Sequence, residues 1–337
     1  MRKNGPSFSA CITASHPNSS RESRCEGYAW SSCSGQSHSR LVWVLAKVEF
    51  WARLRSMRKS SLVRLLLLAL GGTWIAYTQA PQPSKLNTVK IKDDLYVIHN
   101  DYVPGNTTVL ITNEGVLLVD DKFDIDHDNI MAELKKITAQ PVRYVINTHY
   151  HGDHTGGNAK LQAMNAQVIA SMAAWEAMAR NKQPGLPNVT IEHRGDVHLG
   201  GKTVELFYFG RAHTDGDIVA YFPQHRVLAT GDIFAYGDAT PELIDYSGGG
   251  SAREWPKTLS AALKLDFDTA VPGHGEVTTK TEMAKFRDST AALRDRVHQM
   301  LGQKKSAAEI EKMLRTDFHW ADLHVARGLQ GALAELQ

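Results

Sequence analysis

The β-branched segment Val142–Ile146 runs directly into Asn147-Thr148-His149-Tyr150-His151-Gly152-Asp153-His154-Thr155-Gly156-Gly157-Asn158. A buried strand has no structural use for three histidines and an aspartate at its carboxyl end, so this junction must bind something. In an extended or turning segment His149 and His151 point to the same side. Asp153 and His154 lie on the turn into the next helix and reach a second point ~3–4 Å away. The three cysteines, Cys11, Cys25 and Cys33, all fall in the first 56 residues. The rest of the chain therefore has neither a disulfide framework nor a thiolate ligand, and a metal there must be held by nitrogen and oxygen.

The pattern around this junction is that of an α/β domain. Leu86–Ile91 and Leu95–His99 flank Asp93-Asp94 as in a hairpin, and Thr107–Thr112 and Val116–Val119 flank Asn113-Glu114-Gly115 in the same way. Ile130, Leu134 and Ile137 recur at helical spacing. Helices are predicted over about 156–164, 173–180, 253–263, 281–301 and 307–315, and further strands over 168–170, 189–192, 203–209, 218–222, 227–229 and 269–271. Strands in two clusters, each closed by helices, predict two sheets packed face to face with helices outside. The catalytic domain is read as residues 85–302, with 303–337 a C-terminal helical tail packed on it.

The N-terminal segments read differently. Residues 1–40 are rich in Ser, Arg and small polar residues without sustained periodicity, and residues 1–56 are read as a non-native or disordered extension. Met57 opens a stretch laid out as a secretory signal peptide over 57–80: basic Arg58, Lys59 and Arg64, an apolar run from Leu65 to Tyr77, and Ala80 in cleavage position. An uncleaved short anchor is the alternative, although Gly71-Gly72 interrupts the run, which is shorter than the ~20 residues a span needs. Translation from Met57 and a periplasmic or secreted protein are the expectations. Charge splits along the chain in the same place. Residues 81–337 carry 27 Lys/Arg against 33 Asp/Glu, a balance of −6, so no nucleic-acid partner is expected. The partner is a small-molecule substrate, with no stable membrane partner unless the signal segment stays as an anchor; no oligomeric state is specified.

Three further residues stand in matching contexts. His213 follows the strand 203–209 in Gly210-Arg211-Ala212-His213, Asp232 follows Thr230-Gly231, and His274 follows Pro272-Gly273. Each lies just past the carboxyl end of a strand, where α/β architectures place their sites. Asp120 ends the strand 116–119 in the same manner.

With these residues assembled, the sequence resembles the metallo-β-lactamase superfamily over roughly residues 85–300. The match is to its H-x-H-x-D-H motif (His149, His151, Asp153, His154), its later histidine (His213), its bridging aspartate (Asp232) and its final Gly-His (His274). The resemblance implies an αββα sandwich of two mixed β-sheets flanked by helices. It implies two Zn2+ per chain, with Fe or Mn possible: His149, His151 and His213 on one ion, Asp153, His154 and His274 on the other, and Asp232 bridging. Asp120 looks like a carboxylate that orients a ligand from behind, or else a plain turn residue. Several family members use a cysteine where this chain has Asp232 and a carboxylate-gripping lysine where it has Ala235, so the aspartate-bridged hydrolases of thioesters, lactones and phosphodiesters are the nearer likeness. The flavodiiron branch has a Glu in place of His151, which disfavours a redox iron site.

The resulting expectation is an exported hydrolase that uses zinc-activated hydroxide to open a cyclic amide or ester, of the β-lactam or lactone class. A phosphodiesterase or thioesterase, or a metal-stabilised binding protein without catalysis, are the alternatives. Asp153 is the candidate proton donor to the leaving group. Tyr236 is read either as an oxyanion donor or as a core tyrosine. Arg211 or Tyr236 would assist an anionic β-lactam, whose hydrolysis is expected to be weak without the lysine. Asn158 caps or braces the loop–helix junction, Met172, Trp175 and Met178 form one packed helix face, and residues 241–250 are a pocket wall or a mere connector.

Overall fold

The computed structural model describes residues 82–237 and 243–337. The expected extension over 1–56, the signal-like segment over 57–80, and Pro241 and Glu242 lie outside the described residues. In chain order the elements begin with β1 (Asn87–Lys90), β2 (Leu95–His99), β3 (Thr107–Thr112) and β4 (Gly115–Val119). Then come α1 (His127–Ile137), β5 (Val142–Ile146), α2 (Gly152–Thr155), α3 (Asn158–Ala163), β6 (Gln167–Ser171) and α4 (Met172–Arg180). Strands β7 (Val189–Ile191), β8 (Arg194–Leu199), β9 (Lys202–Phe207), β10 (Val219–Phe222) and β11 (Val227–Ala229) follow. The chain continues through α5 (Trp255–Ala262), β12 (Thr269–Val271), β13 (Thr278–Thr279), α6 (Lys280–Gly302), α7 (Ala307–Asp317) and α8 (Asp322–Glu335).

Strands β1 to β7 form one sheet in sequence order, antiparallel as far as β4 and parallel beyond it. The second sheet has the order β13-β12-β11-β10-β9-β8, with β11 and β12 its parallel pair. Both sheets are mixed, and side-chain alternation along their strands sorts the core into layers. Leu110 and Leu117 point inward to meet Leu206, Ala220, Phe222 and Val227 of the second sheet. Their neighbours Val109 and Leu118 face outward, against Ile130 and Leu134 of α1 and Leu161 of α3. On the far side, Leu228 and Ala270 pack against Trp255 and Leu259 of α5, Leu293 of α6 and Leu314 of α7. The result is the αββα sandwich. Among the described residues no helix is long and apolar enough to cross a membrane.

Three departures from the sequence expectation have local causes. The helix expected over 156–164 is α3, and an unexpected single turn, α2, precedes it, the two separated at Gly156-Gly157. Strand β8 was not expected, because only Val197 and Leu199 of Arg194–Leu199 are buried at this sheet edge, and its charged positions hide the alternation. Helix α8 falls within the expected helical tail, but its bounds were not given, because Gly328 and Gly331 interrupt its helical pattern.

Candidate metal centre

The site forms where five loops leave the carboxyl ends of strands. The β4 loop carries Asp120, the β5 loop His149 to His154, the β9 loop His213, the β11 loop Asp232 and the β12 loop His274. The first two are stitched together. Asp120 and Lys122 both take left-handed backbone conformations, at φ 62° and 61°, which turns β4 sharply onto the histidine loop. There Asp121 N donates to His154 O at 2.9 Å, and Gly156 N to Lys122 O at 2.8 Å.

Five imidazoles converge, and each is oriented from behind by an acceptor. His149 Nδ1 is 3.1 Å from Thr148 Oγ1, His151 Nε2 is 2.8 Å from Asp245 Oδ2, and His213 Nδ1 is 2.5 Å from Leu243 O. Thr148 Oγ1 already gives its own proton to Asp120 Oδ2, so it can only accept from His149. The outer nitrogens are therefore the protonated ones, and the inner nitrogens present lone pairs. Yet His151 Nδ1 lies 3.1 Å from His149 Nε2 and 2.9 Å from His213 Nε2. Three acceptors at hydrogen-bond distance with no proton among them repel one another unless a cation sits between them.

A second group repeats the arrangement. His154 Nδ1 faces Asp120 Oδ2 at 2.8 Å, and His274 Nδ1 faces Tyr102 O at 2.8 Å, which leaves the two inner Nε2 atoms 3.4 Å apart. Asp153 Oδ2 stands 3.6 Å from His154 Nε2 and 3.5 Å from His274 Nε2. Asp232 lies between the groups. Its Oδ2 is 3.5 Å from His213 Nε2 and 3.2 Å from His274 Nε2, and its Oδ1 is 3.2 Å from His154 Nε2. That Oδ1 is buried without a hydrogen-bond partner among the described residues, a costly state for a carboxylate oxygen. The donor set is nitrogen and oxygen throughout, and each set of ligand atoms lies within 4.8 Å. These residues fit a pair of transition-metal ions.

The electrostatics point the same way. Burial and the charge on neighbouring His154 hold His149 well below the ordinary histidine range, and burial brings His213 down to about 4 although Asp232 opposes it. Burial also works against a charged His154, but Asp232, Asp153 and Asp120 outweigh it and push its pKa well up. Asp232 is driven well down, with His274, His154 and His149 overcoming its burial. One half of the centre is thus neutral imidazole, and the other is an anionic pocket that attracts positive charge, which a bound metal ion would supply.

The loop after Asp232 braces this assembly. Asp245 Oδ1 accepts from Ser247 N and Oγ and from Gly248 N, while Oδ2 accepts from Tyr150 Oη as well as from His151. A side chain on Gly248, Gly249 or Gly250 would strike Tyr150, Asp215 or the carbonyl of His213, respectively. Over Leu243–Gly250 this segment is more than a connector: it orients two imidazoles, and Leu243 also lines the cleft.

The centre opens into a cleft of about 660 Å³, with His151, Asp153, His213, Asp232 and His274 in its lining. The structure thus brings together all seven residues singled out as ligands, with His149 and His154 behind the surface. Other expectations are corrected. Tyr236 does not line the cleft but packs beside Phe234 at the core, so it is not placed to meet an oxyanion there. Arg211 is taken up by Glu254 at 2.9 Å and Glu335 at 3.6 Å. Of the two roles expected for Asn158, bracing is the one seen: its Nδ2 donates to Asn147 Oδ1, and Asn147 Nδ2 in turn to His154 O, tying down the ligand loop, with no cap made. On α4, Met178 is core with Ala174 and Ala177, whereas Met172 is 40% exposed, so they share no packed face. Sequence reasoning missed Asp245 and the cleft-lining Arg327 of α8.

An αββα sandwich with this imidazole and carboxylate centre at the mouth of a cleft defines a metal-dependent hydrolase. The family model described as "Metallo-beta-lactamase superfamily" matches residues 100–274, just over half of the chain. The chain belongs to that superfamily. It is 31% identical over 201 residues to the metallo-beta-lactamase type 2 of Bacillus cereus, covering 58% of this chain and 76% of that one. It is 26% identical over 242 residues to the metallo-beta-lactamase type 2 of Bacillus sp. (strain 170), covering 71% and 91%. Among solved structures, a metallo-beta-lactamase from Pontibacter korlensis superposes with a TM-score of 0.56 at 22% identity, over 61% of this chain and 99% of that one. The DIM-1 metallo-beta-lactamase gives 0.53 at 20% identity, over 63% and 99%. At such identities the structures speak for the fold alone.

Proposed function

We propose that this protein is an exported, zinc-dependent hydrolase that opens a small cyclic amide or ester, of the β-lactam or lactone class. The observation that carries the reading is the trio of inner nitrogens of His149, His151 and His213, with that of His151 3.1 Å and 2.9 Å from the other two, facing Asp232 and opening on the cleft. Two zinc ions bound there would supply Lewis acidity, lowering the pKa of water toward ~7 and polarising a carbonyl. The chain supplies the rest. Asp153 reaches the cleft with its side chain one-fifth exposed and is the carboxylate placed to pass a proton to the leaving group. Thr148, Asp245, Leu243, Asp120 and Tyr102 fix the imidazoles, so the centre needs little reorganisation. Trp255 and Phe286 are apolar walls of the cleft, which limits competing water. Export is argued from the segment beginning at Met57.

The test is a substrate panel of chromogenic lactone, carboxylic ester, β-lactam, thioester and phosphodiester compounds on zinc-loaded protein. Ala235 puts no cation beside Asp232, so at least one lactone or ester should exceed every β-lactam in kcat/KM. Activity should collapse in Asp232→Ala. Turnover of phosphodiesters alone, or none of any substrate with both metals bound, contradicts the reading.

A further inference from the structure

Leu323, His324 and Arg327 fall on one face of α8, at spacings of one and four residues, and all three line the cleft. The C-terminal helix is thus a wall of the candidate site. It is firmly seated there. Tyr246 Oη donates to Glu335 Oε2 at 2.8 Å and Ser251 Oγ to Glu335 Oε1 at 2.5 Å. Gly331 lets the helix lie on the Tyr246 ring, whose Cγ a methyl group at that position would approach to 2.1 Å. Helix α8 therefore docks on the same 243–251 loop that orients His151 and His213, and its cleft face is held in register with the metal centre.

Arg327 is the sole Lys or Arg among the described residues lining the cleft, and none of the described residues hydrogen-bonds or ion-pairs with it. His324 beside it has Nδ1 buried without a partner among the described residues, and burial lowers its pKa, so the fixed positive charge of this wall is the guanidinium. Apart from the metal-centre residues, His324 and Arg327, the lining is apolar or glycine. Of eight large hydrophobic side chains exposed among the described residues, four, Tyr102, Val103, Phe123 and Leu323, line this cleft. Such clustering marks a binding surface, and scattered exposure would not.

We infer that Arg327 binds the carboxylate of an amphipathic substrate whose apolar portion lies against Tyr102, Val103, Phe123 and Leu323. The inference rests on the hydrolase reading above and narrows it to anionic substrates with an apolar body. Arg327 is a specificity residue, since its contact is with a part of the substrate away from the reacting carbonyl.

The experiment compares mono-4-nitrophenyl suberate with its methyl ester on zinc-loaded wild type, Arg327→Gln and Arg327→Lys, with circular dichroism to verify folding. Arg327→Gln should raise KM for the carboxylate on the order of 10-fold, leave kcat unchanged and spare the methyl ester. Arg327→Lys should recover part of the loss. Equal effects on both esters, or none on either, overturn the inference. If the wild type hydrolyses neither ester and no member of the substrate panel, the hydrolase reading fails, and the same two compounds are titrated as ligands. A preference for the carboxylate that disappears in Arg327→Gln then supports Arg327 as an anion site, and equal affinities in both proteins overturn it.

Discussion

Asp245 Oδ2 lies 2.8 Å behind His151 Nε2, held there from a loop 94 residues further along the chain. All its partners are donors: Tyr150 Oη and His151 on one oxygen, Ser247 N, Ser247 Oγ and Gly248 N on the other. Asp245→Asn must therefore turn an NH2 group against a donor on one side or the other. The His151 ring loses its fixed orientation, and affinity for one metal ion should fall about 10- to 100-fold. Competition with a chromogenic chelator reads this directly; affinity equal to the wild type would show that Asp245 does not support the centre.

Lys122 gives the pH dependence. It is fully buried, its Nζ donating to Asn100 Oδ1 at 3.0 Å and to Gly105 O, and burial brings its pKa down to about 7 against the pull of Asp126, Asp120 and Asp153. The unfolded amine titrates at about 10.4. Between these values the unfolded chain binds the extra proton, so this group's contribution to stability is least below pH 7 and rises as pH increases toward 10. The stability of wild type minus that of Lys122→Met should grow by ~1 kcal/mol per pH unit across that window. Urea unfolding at pH 6.5, 8 and 9.5 measures it, and parallel curves would contradict the assignment.

How much of this was legible in the sequence follows from where each contact resides. The ligands were readable because His149 to His154 are contiguous and because His213, Asp232 and His274 each follow a strand within three residues of a glycine. Two sheets packed face to face were readable from strands falling in two clusters, each closed by helices, and the family resemblance implied the αββα class; strands such as Thr107–Thr112 indeed turn successive residues to opposite layers. What orients the ligands was not. Leu243 and Tyr102 act through backbone carbonyls, which carry no side-chain signature, and Asp245 sits in a glycine-rich stretch without periodicity. Arg327 was hidden for a related reason: within the expected helical tail, Gly328 and Gly331 obscure the helical register that would place it on a cleft-facing side.

Gly331 itself is testable. A methyl group there collides with the Tyr246 ring, so Gly331→Ala should cost ~1–3 kcal/mol and loosen α8 from the 243–251 loop. Denaturant unfolding reports the loss, and protease sensitivity near residue 320 should rise with it. Unchanged stability and sensitivity would mean that the helix does not depend on this contact.

His149, His151 and His213 on one side, Asp153, His154 and His274 on the other, and Asp232 between them would together hold a dinuclear centre. Elemental analysis of folded protein at saturating zinc, after removal of free metal by gel filtration, tests it most directly. Close to two transition-metal ions per chain are expected in the wild type and close to one in Asp232→Ala; a wild-type protein that holds one ion or none would rule out a dinuclear centre.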